Sequence, residues 1–293
     1  MNDSVLRTSG LMKSFDREAV LRGVDFDLPR GSVVGLLGRN GSGKTTLIKC
    51  VLGLLRIDEG DATIFGDDAW HLSAETKARL GYVPQAVQVP PWMRVRHAVN
   101  YHAAFYSRWN HELSDRLIEQ WDLDPKQKVG VLSEGQLQRL AIVLALGHQP
   151  ELLILDEPAA SLDPTARRQF LQTVLEVAGG GERTVLFSTH ITSDLERVAD
   201  RVALLRGGLI DFFDELDVLK DSVKRLHVAA ARDLPATLGV ASTLREQVEG
   251  REATVSVRAF DGSMVERLER EHGANVAVED LNLEDIFLEM DDG

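Results

Sequence analysis

The stretch GRNGSGKTT, Gly38 to Thr46, satisfies the pattern G-x-x-x-x-G-K-[ST] at every fixed position. Such a loop needs a strand in front of it and a helix behind it. Val33, Val34, Leu36 and Leu37 supply a short β-branched apolar run before it, and Leu47, Ile48, Val51 and Leu52 recur at helical spacing after it. The glycines are therefore placed on a strand-to-helix turn. There Gly38, Gly41 and Gly43 let the backbone adopt conformations that a Cβ penalises, so that successive N–H groups converge on phosphates at the positive end of the helix dipole. Lys44 is expected to hold the β- and γ-phosphates and Thr45 to give its hydroxyl to Mg²⁺. ATP or GTP is the ligand implied. Kinases, GTPases and motor ATPases share this loop, and the plain alternative is a glycine-rich turn that happens to carry a lysine.

A chain of 293 residues with 44% hydrophobic content has room for one large domain and a smaller one. Its longest apolar runs, Ala141 to Leu146 and Leu152 to Leu155, fall far short of the ~18 residues needed to cross a bilayer. The first ten residues lack the apolar core of a signal peptide, and a lone cysteine, Cys50, cannot form an internal disulfide. A cytoplasmic setting is expected, with Cys50 a small buried hydrophobe. The net charge of −13 argues against nucleic acid and anionic lipid as partners, so any membrane association is expected to run through another protein.

Along the chain, Val5 to Phe15 and Val20 to Leu28 read as an antiparallel hairpin. Phe15 at its turn could stack on a base, although its residue chemistry favours the core. Gly60 to Gly66 reads as a strand and Ser73 to Leu80 as a short helix. Gln85, in GYVPQ, has a side-chain carbonyl suited to a metal or a water, but a lone glutamine is ordinarily surface. Val95 to Trp109 and Glu112 to Trp121 are amphipathic helices, an inserted helical region over residues 88–148. Within it Ser133 and Gln136 of LSEGQ are spaced as a capping box, which a helix can use with no ligand at all. Leu152 to Leu155 reads as a buried strand delivering Asp156 and Glu157 into the crevice where open α/β sheets bind ligands. Thr184 to Thr189 is another strand, ending at His190. Val202 to Leu205 and Leu209 to Phe213, joined through Gly207 and Gly208, form a hairpin. After about Leu219, strands at Val223 to Ala230, Ala253 to Val257 and Ala274 to Val278, with a helix at Ser263 to Glu271, suggest an α+β appendage. The acidic end, Glu279 to Asp292, reads as an amphipathic helix or a solvated tail.

Taken together, GRNGSGKTT, GYVPQ, LSEGQ, LLILDEP, ASLD (Ala160 to Asp163) and STH (Ser188 to His190) resemble the ABC-transporter ATPase family in order and spacing, over about Val5 to Phe213. Within it the chain is most similar to ATPase subunits of ABC-2 type exporters. The resemblance implies an α/β P-loop NTPase core with an antiparallel β subdomain and an inserted helical subdomain, in residues 1–218. Residues 219–293 form the C-terminal accessory domain. It implies that Phe15 stacks on adenine and that Gly38, Asn40, Gly41, Ser42, Gly43, Lys44, Thr45 and Thr46 surround the phosphates. Thr45, Gln85 and Asp156 stand about Mg²⁺, Glu157 is the general base, His190 contacts the γ-phosphate, and Asp163 lies in a loop communicating between subunits. Ser133, Gly135 and Gln136 match the signature that closes over ATP held by an opposite ATPase domain, in a homodimer or paralogous heterodimer. A separate membrane permease is the further partner implied. The chain would then sit at the cytoplasmic face of the membrane and power transport, export being the direction of the subfamily.

Glu134 departs from the family pattern, standing where the first glycine of LSGGQ is usual and putting a carboxylate near a triphosphate. Two other readings stay open on the sequence: a soluble ABC ATPase acting outside transport, and an ATP-binding regulatory subunit with weak turnover.

Overall fold

The computed structural model describes residues 4–16, 18–159, 162–178 and 183–291. Its chain divides into two compact units, residues 1–213 and 214–293. The first opens with the expected hairpin of β1 (Ser4–Phe15) and β2 (Glu18–Pro29), paired antiparallel from Ser4 opposite Pro29 to Phe15 opposite Glu18. Leu21, Val24, Phe26 and Leu28 turn inward from β2. Next come β3 (Val33–Leu37), buried at every position, and α1 (Lys44–Val51). β4 (Glu59–Ile64) pairs antiparallel with β1, and the two-residue β5 (Asp67–Asp68) follows it. A short helix, α2 (Ala74–Ala78), leads into β6 (Leu80–Val83). The inserted helices are α3 (Val95–Ala103), α4 (His111–Gln120) and α5 (Glu134–Leu146).

The chain returns to the sheet through β7 (Leu152–Asp156), α6 (Pro164–Ala178), β8 (Thr184–Thr189), α7 (Thr192–Val198), β9 (Arg201–Arg206) and β10 (Leu209–Glu215). The central sheet runs β10-β9-β3-β8-β7-β6, and β3, β6, β7, β8 and β9 are parallel where they pair. A second sheet, β2-β1-β4-β5, shares its core: Leu21, Val24 and Leu28 cluster with Leu36, Ile48, Ile154 and Leu186. Strands buried on both faces read as continuous apolar runs, which is why β3, β7 and β8 are plain in the sequence.

The second unit holds α8 (Leu216–Ser222), β11 (Val223–Ala230), β12 (Thr243–Glu249), β13 (Glu252–Arg258), α9 (Ser263–His272), β14 (Ala274–Asp280) and α10 (Leu283–Asp291). Its antiparallel sheet runs β12-β13-β11-β14 over a core of its own that includes Leu226, Val228, Val255, Val257 and Leu268. The break lies between Phe213 and Asp214, so α8, which straddles the expected boundary at 218/219, goes with the second unit. The acidic end is a helix: Leu283, Ile286 and Met290 of α10 are buried and Arg225 donates to Glu289. Among the described residues, no helix is long and apolar enough to cross a membrane.

Candidate nucleotide site

β3 delivers the loop and α1 receives it, and the loop's glycines differ in what they require. Gly43, the N-cap of α1, has φ +104°, and a Cβ there would stand 3.0 Å from Leu21 and 3.1 Å from Val20. Gly38 has no such φ; a Cβ there would lie 2.6 Å from the Leu205 carbonyl, so it is closeness of backbone, not a left-handed turn, that excludes a side chain. No side chain caps α1, which leaves its first N–H groups for an anion.

A cavity of about 520 Å³ opens over this helix end. Phe15, Val20, Asn40, Gly41, Gly43, Lys44, Thr45, Thr46, Gln85, Glu157 and His190 line it. Six elements or their ends, β1, β2, α1, β6, β7 and β8, thus converge on one space. Phe15 is 45% exposed on its wall, which corrects the core assignment its chemistry suggested. Gly38 and Ser42 stand behind the lining, Gly38 accepting from Lys44 through its carbonyl. Val20 is a wall residue that no motif or spacing singles out.

Charge in the cavity is paired across it. Lys44, 6% exposed, donates to the carbonyls of Gly38 at 2.8 Å and Arg39 at 3.2 Å, and its Nζ lies 3.2 Å from Glu157 Oε1. The other Glu157 oxygen lies 2.9 Å from His190 Nδ1. Glu157 is buried and holds φ +47°, an uncommon backbone state for a residue with a Cβ, and one that recurs where a site over-determines geometry. Where Nδ1–H is given to that carboxylate, a neutral ring leaves Nε2 as an acceptor only.

Asp156 is fully buried at the end of β7. Its Oδ1 accepts from Thr45 Oγ1 at 3.1 Å and from Ser188 Oγ at 2.8 Å, while Oδ2 is buried without a partner among the described residues. Burial raises its pKa, with the Glu157 carboxylate adding to the rise against the two hydroxyls. A desolvated carboxylate with an orphan oxygen beside a threonine hydroxyl, with Gln85 on the same cavity, is an all-oxygen donor set that fits a hard divalent cation such as Mg²⁺. Ser188 also accepts from the Glu157 N–H at 2.9 Å, so one hydroxyl ties both acids to β8. Its place in STH was visible in the sequence, but its partners were not.

Ser133, Gly135 and Gln136 are elsewhere. They do not line the cavity; Ser133 Oγ accepts from the Gln136 N–H and Gln136 Oε1 from the Ser133 N–H, the full capping box of α5. Glu134 is exposed in the first turn of that helix. Asp163 caps α6, accepting from Thr165 and Ala166 N–H groups at 2.9 and 3.0 Å. Ala160 and Ser161 of ASLD lie outside the described residues. Cys50 is buried in α1, and burial pushes its thiol up to about 11, out of the range of a reactive thiolate.

The profile of the family described as ABC transporter matches residues 21–160. An uncharacterized ABC transporter ATP-binding protein of Bacillus subtilis, YdbJ, is 34% identical over 216 residues, 72% of this chain and 69% of that one. The Nod factor export ATP-binding protein I of Burkholderia lata is 34% identical over 67% of this chain and 66% of its own. Among solved structures, an ATP-binding subunit of an ABC transporter superposes with TM-score 0.67 at 27% identity, over 74% of this chain and 92% of that one. With this likeness, and with a P-loop and two strand-end acids around one cavity, the chain belongs to the ATP-binding proteins of ABC transporters and is an ATPase.

Proposed function

We propose that this ATPase drives export through a separate membrane permease, with Glu157 as the base that acts on the attacking water. The observation that carries the assignment is the arrangement of Glu157, buried and gripped at one oxygen by Lys44 and at the other by His190. Phe15 stacks on the adenine, and the backbone from Gly38 to Thr46 with Asn40 and Ser42 encloses the phosphates. An arriving triphosphate competes for Lys44. As Lys44 turns to the β- and γ-phosphates, Glu157 Oε1 is released to accept from water, while His190, held to the other Glu157 oxygen through Nδ1, steadies that carboxylate beside the γ-phosphate. Thr45, Gln85 and Asp156 would hold Mg²⁺, which when bound neutralises charge that develops on the phosphate oxygens.

The signature residues Ser133, Gly135 and Gln136 lie off the chain's own cavity, which supports a partner role: each closes over nucleotide held by a second ATPase domain. Two chains, or this chain and a paralogue, then complete two sites. The first unit, residues 1–213, acts as the ATPase domain and residues 214–293 as an accessory domain. The inserted helices of residues 88–148, with Gln85 at their edge, pass closure to the permease, which holds the chain at the cytoplasmic membrane face. Similarity to an export ATP-binding protein supports the direction of transport.

Glu157→Gln keeps size and hydrogen-bonding shape while removing the base. Turnover should fall by about 10²- to 10⁴-fold, with ATP bound as before and the closed dimer accumulating. Lys44→Ala should lose binding and closure together. Phosphate release and dimer mass measured on both variants decide the matter, and near-normal turnover in Glu157→Gln would transfer the role of base to another group.

A further inference from the structure

Glu157 stands in a backbone state that neither it nor its neighbour favours. Its φ is +47°, in the left-handed region that a Cβ penalises, and the residue before a proline, here Pro158, is ordinarily pushed to extended backbone. Contacts from outside the turn therefore hold it. Pro158 has no N–H to give, so the main-chain donor at this point is the N–H of Glu157 itself, and it donates to Ser188 Oγ at 2.9 Å. Ser188 is fully buried in β8, paired with Asp156 of β7 on one side and with Leu36 of β3 on the other. Because the Glu157 N–H can only donate, Ser188 Oγ accepts there, and its own hydrogen goes to Asp156 Oδ1, 2.8 Å away. The hydroxyl thus has one orientation, set in the middle of the central sheet.

We propose that Ser188 is a positioning residue for hydrolysis, fixing through the Glu157 N–H the turn that aims the Glu157 carboxylate. The proposal rests on the reading of Glu157 as the base. The side-chain holds on Glu157 are shared with nucleotide: Lys44 and His190 both line the cavity, and on that reading Lys44 leaves Oε1 when phosphates arrive. The bond to Ser188 is not shared. Ser188 stands behind the lining, and neither its Oγ nor the Glu157 N–H is taken up by phosphate or by the attacking water. It therefore persists through binding, when the carboxylate has to meet water at a set distance. Without it the turn is free to relax toward extended backbone, and small displacements of a reacting group are costly in rate. ATP is held by other residues, so its affinity should not register the loss.

The test is Ser188→Ala in the full chain, alone and combined with Glu157→Gln, with phosphate release followed at saturating Mg²⁺. Alone, it should lower kcat by roughly 10-fold or more, with KM for ATP and equilibrium ATP binding nearly unmoved. Combined, it should leave the residual single-turnover rate of Glu157→Gln unchanged, because the group it positions is already gone. Loss of the bond to Asp156 would instead act through the cation and slow the Glu157→Gln chain by the same factor as the unaltered one. A multiplying loss in the pair therefore overturns the proposal, as does an unchanged kcat in Ser188→Ala. Should Ser188→Ala fail to fold by circular dichroism, Ser188→Cys, which fills the same space with a weakly hydrogen-bonding sulfur, replaces it under the same criteria. Full turnover in Glu157→Gln removes the base assignment, while a slow Glu157→Gln beside a fast Ser188→Ala removes only the positioning role.

Discussion

Phe15 ends β1 on the rim of the cavity, with 45% of its surface open and the Lys13 ammonium 5.5 Å from its ring centroid. A buried phenylalanine would be held by packing; this one has a free face beside the phosphate loop, where an adenine ring can lie. Base stacking on an aromatic ring is worth about 1–3 kcal/mol, so Phe15→Ala should weaken ATP binding by roughly 5- to 150-fold while Phe15→Tyr keeps it. Equilibrium binding of a fluorescent ATP analogue checks both, and equal affinity in Phe15→Ala would place the base elsewhere. At this scale the sequence conveys residue types and spacing well. Lys44, Asp156 and Glu157 are legible because their roles follow from position on a loop or a strand end. Partners across the fold are not, which is why the Ser188 hydroxyl between Asp156 and the Glu157 N–H emerges only when β7 and β8 are side by side.

Elements were readable in proportion to their apolar content. β3, β7 and β8 are uninterrupted hydrophobic runs, and α5 announces itself by its capping box. By contrast β12, TLREQVE, is an edge strand with two apolar residues, and α8 has seven residues, so neither has a period long enough to stand out. Glu134 shows two effects acting on one element. In the first turn of α5 its carboxylate favours the helix dipole by about 0.3–1 kcal/mol, and a glycine there gives up helix propensity too, yet the same charge opposes a triphosphate. Glu134→Gly is therefore expected to lower the thermal midpoint while tightening ATP-dependent dimerisation; sedimentation showing equal or weaker association would mean the carboxylate points away from the phosphates. Glu151 offers a pH test. It takes two bonds from Arg79, at 2.7 and 2.9 Å, and one from Arg30 at 3.3 Å, tying the start of β7 to the chain entering β6 and β3. These bonds, Arg79 foremost, hold its carboxyl below the ordinary value of 4.5. The stabilisation is thus complete above pH 4.5 and is lost as the pH falls through the lowered folded-state value. With the carboxylate 41% exposed the contribution is screened to about 1 kcal/mol. Glu151→Gln should be less stable by that amount at pH 7 in urea unfolding, with the gap closing below pH 4; a gap that persists in acid would show packing, not charge, to be responsible.

Across the whole molecule the charge is unevenly divided. Residues 214–293 hold 19 of the 46 carboxylates but 9 of the 33 lysines and arginines, and so carry ten of the thirteen excess negative charges. Near a polyanionic substrate that excess would matter only at short range, because fields between exposed charges fade over about 8 Å at physiological salt. None of the residues lining the nucleotide cavity belongs to this unit, and its sheet is built over its own core. A chain ending at Glu215 keeps β10 entire and stops before α8, which packs on β11. That shortened chain should fold, with ATP affinity within about twofold of the full chain at 0.15 M salt, since every side chain argued to touch nucleotide or cation remains. Assembly is where the loss should show: copurification with the permease, or dimer mass in ATP, is expected to fall. Circular dichroism to establish folding, then nucleotide binding, then dimer mass form the necessary sequence of measurements. A shortened chain that is folded but cannot hold ATP would place part of the nucleotide site in the accessory unit and refute the division of labour.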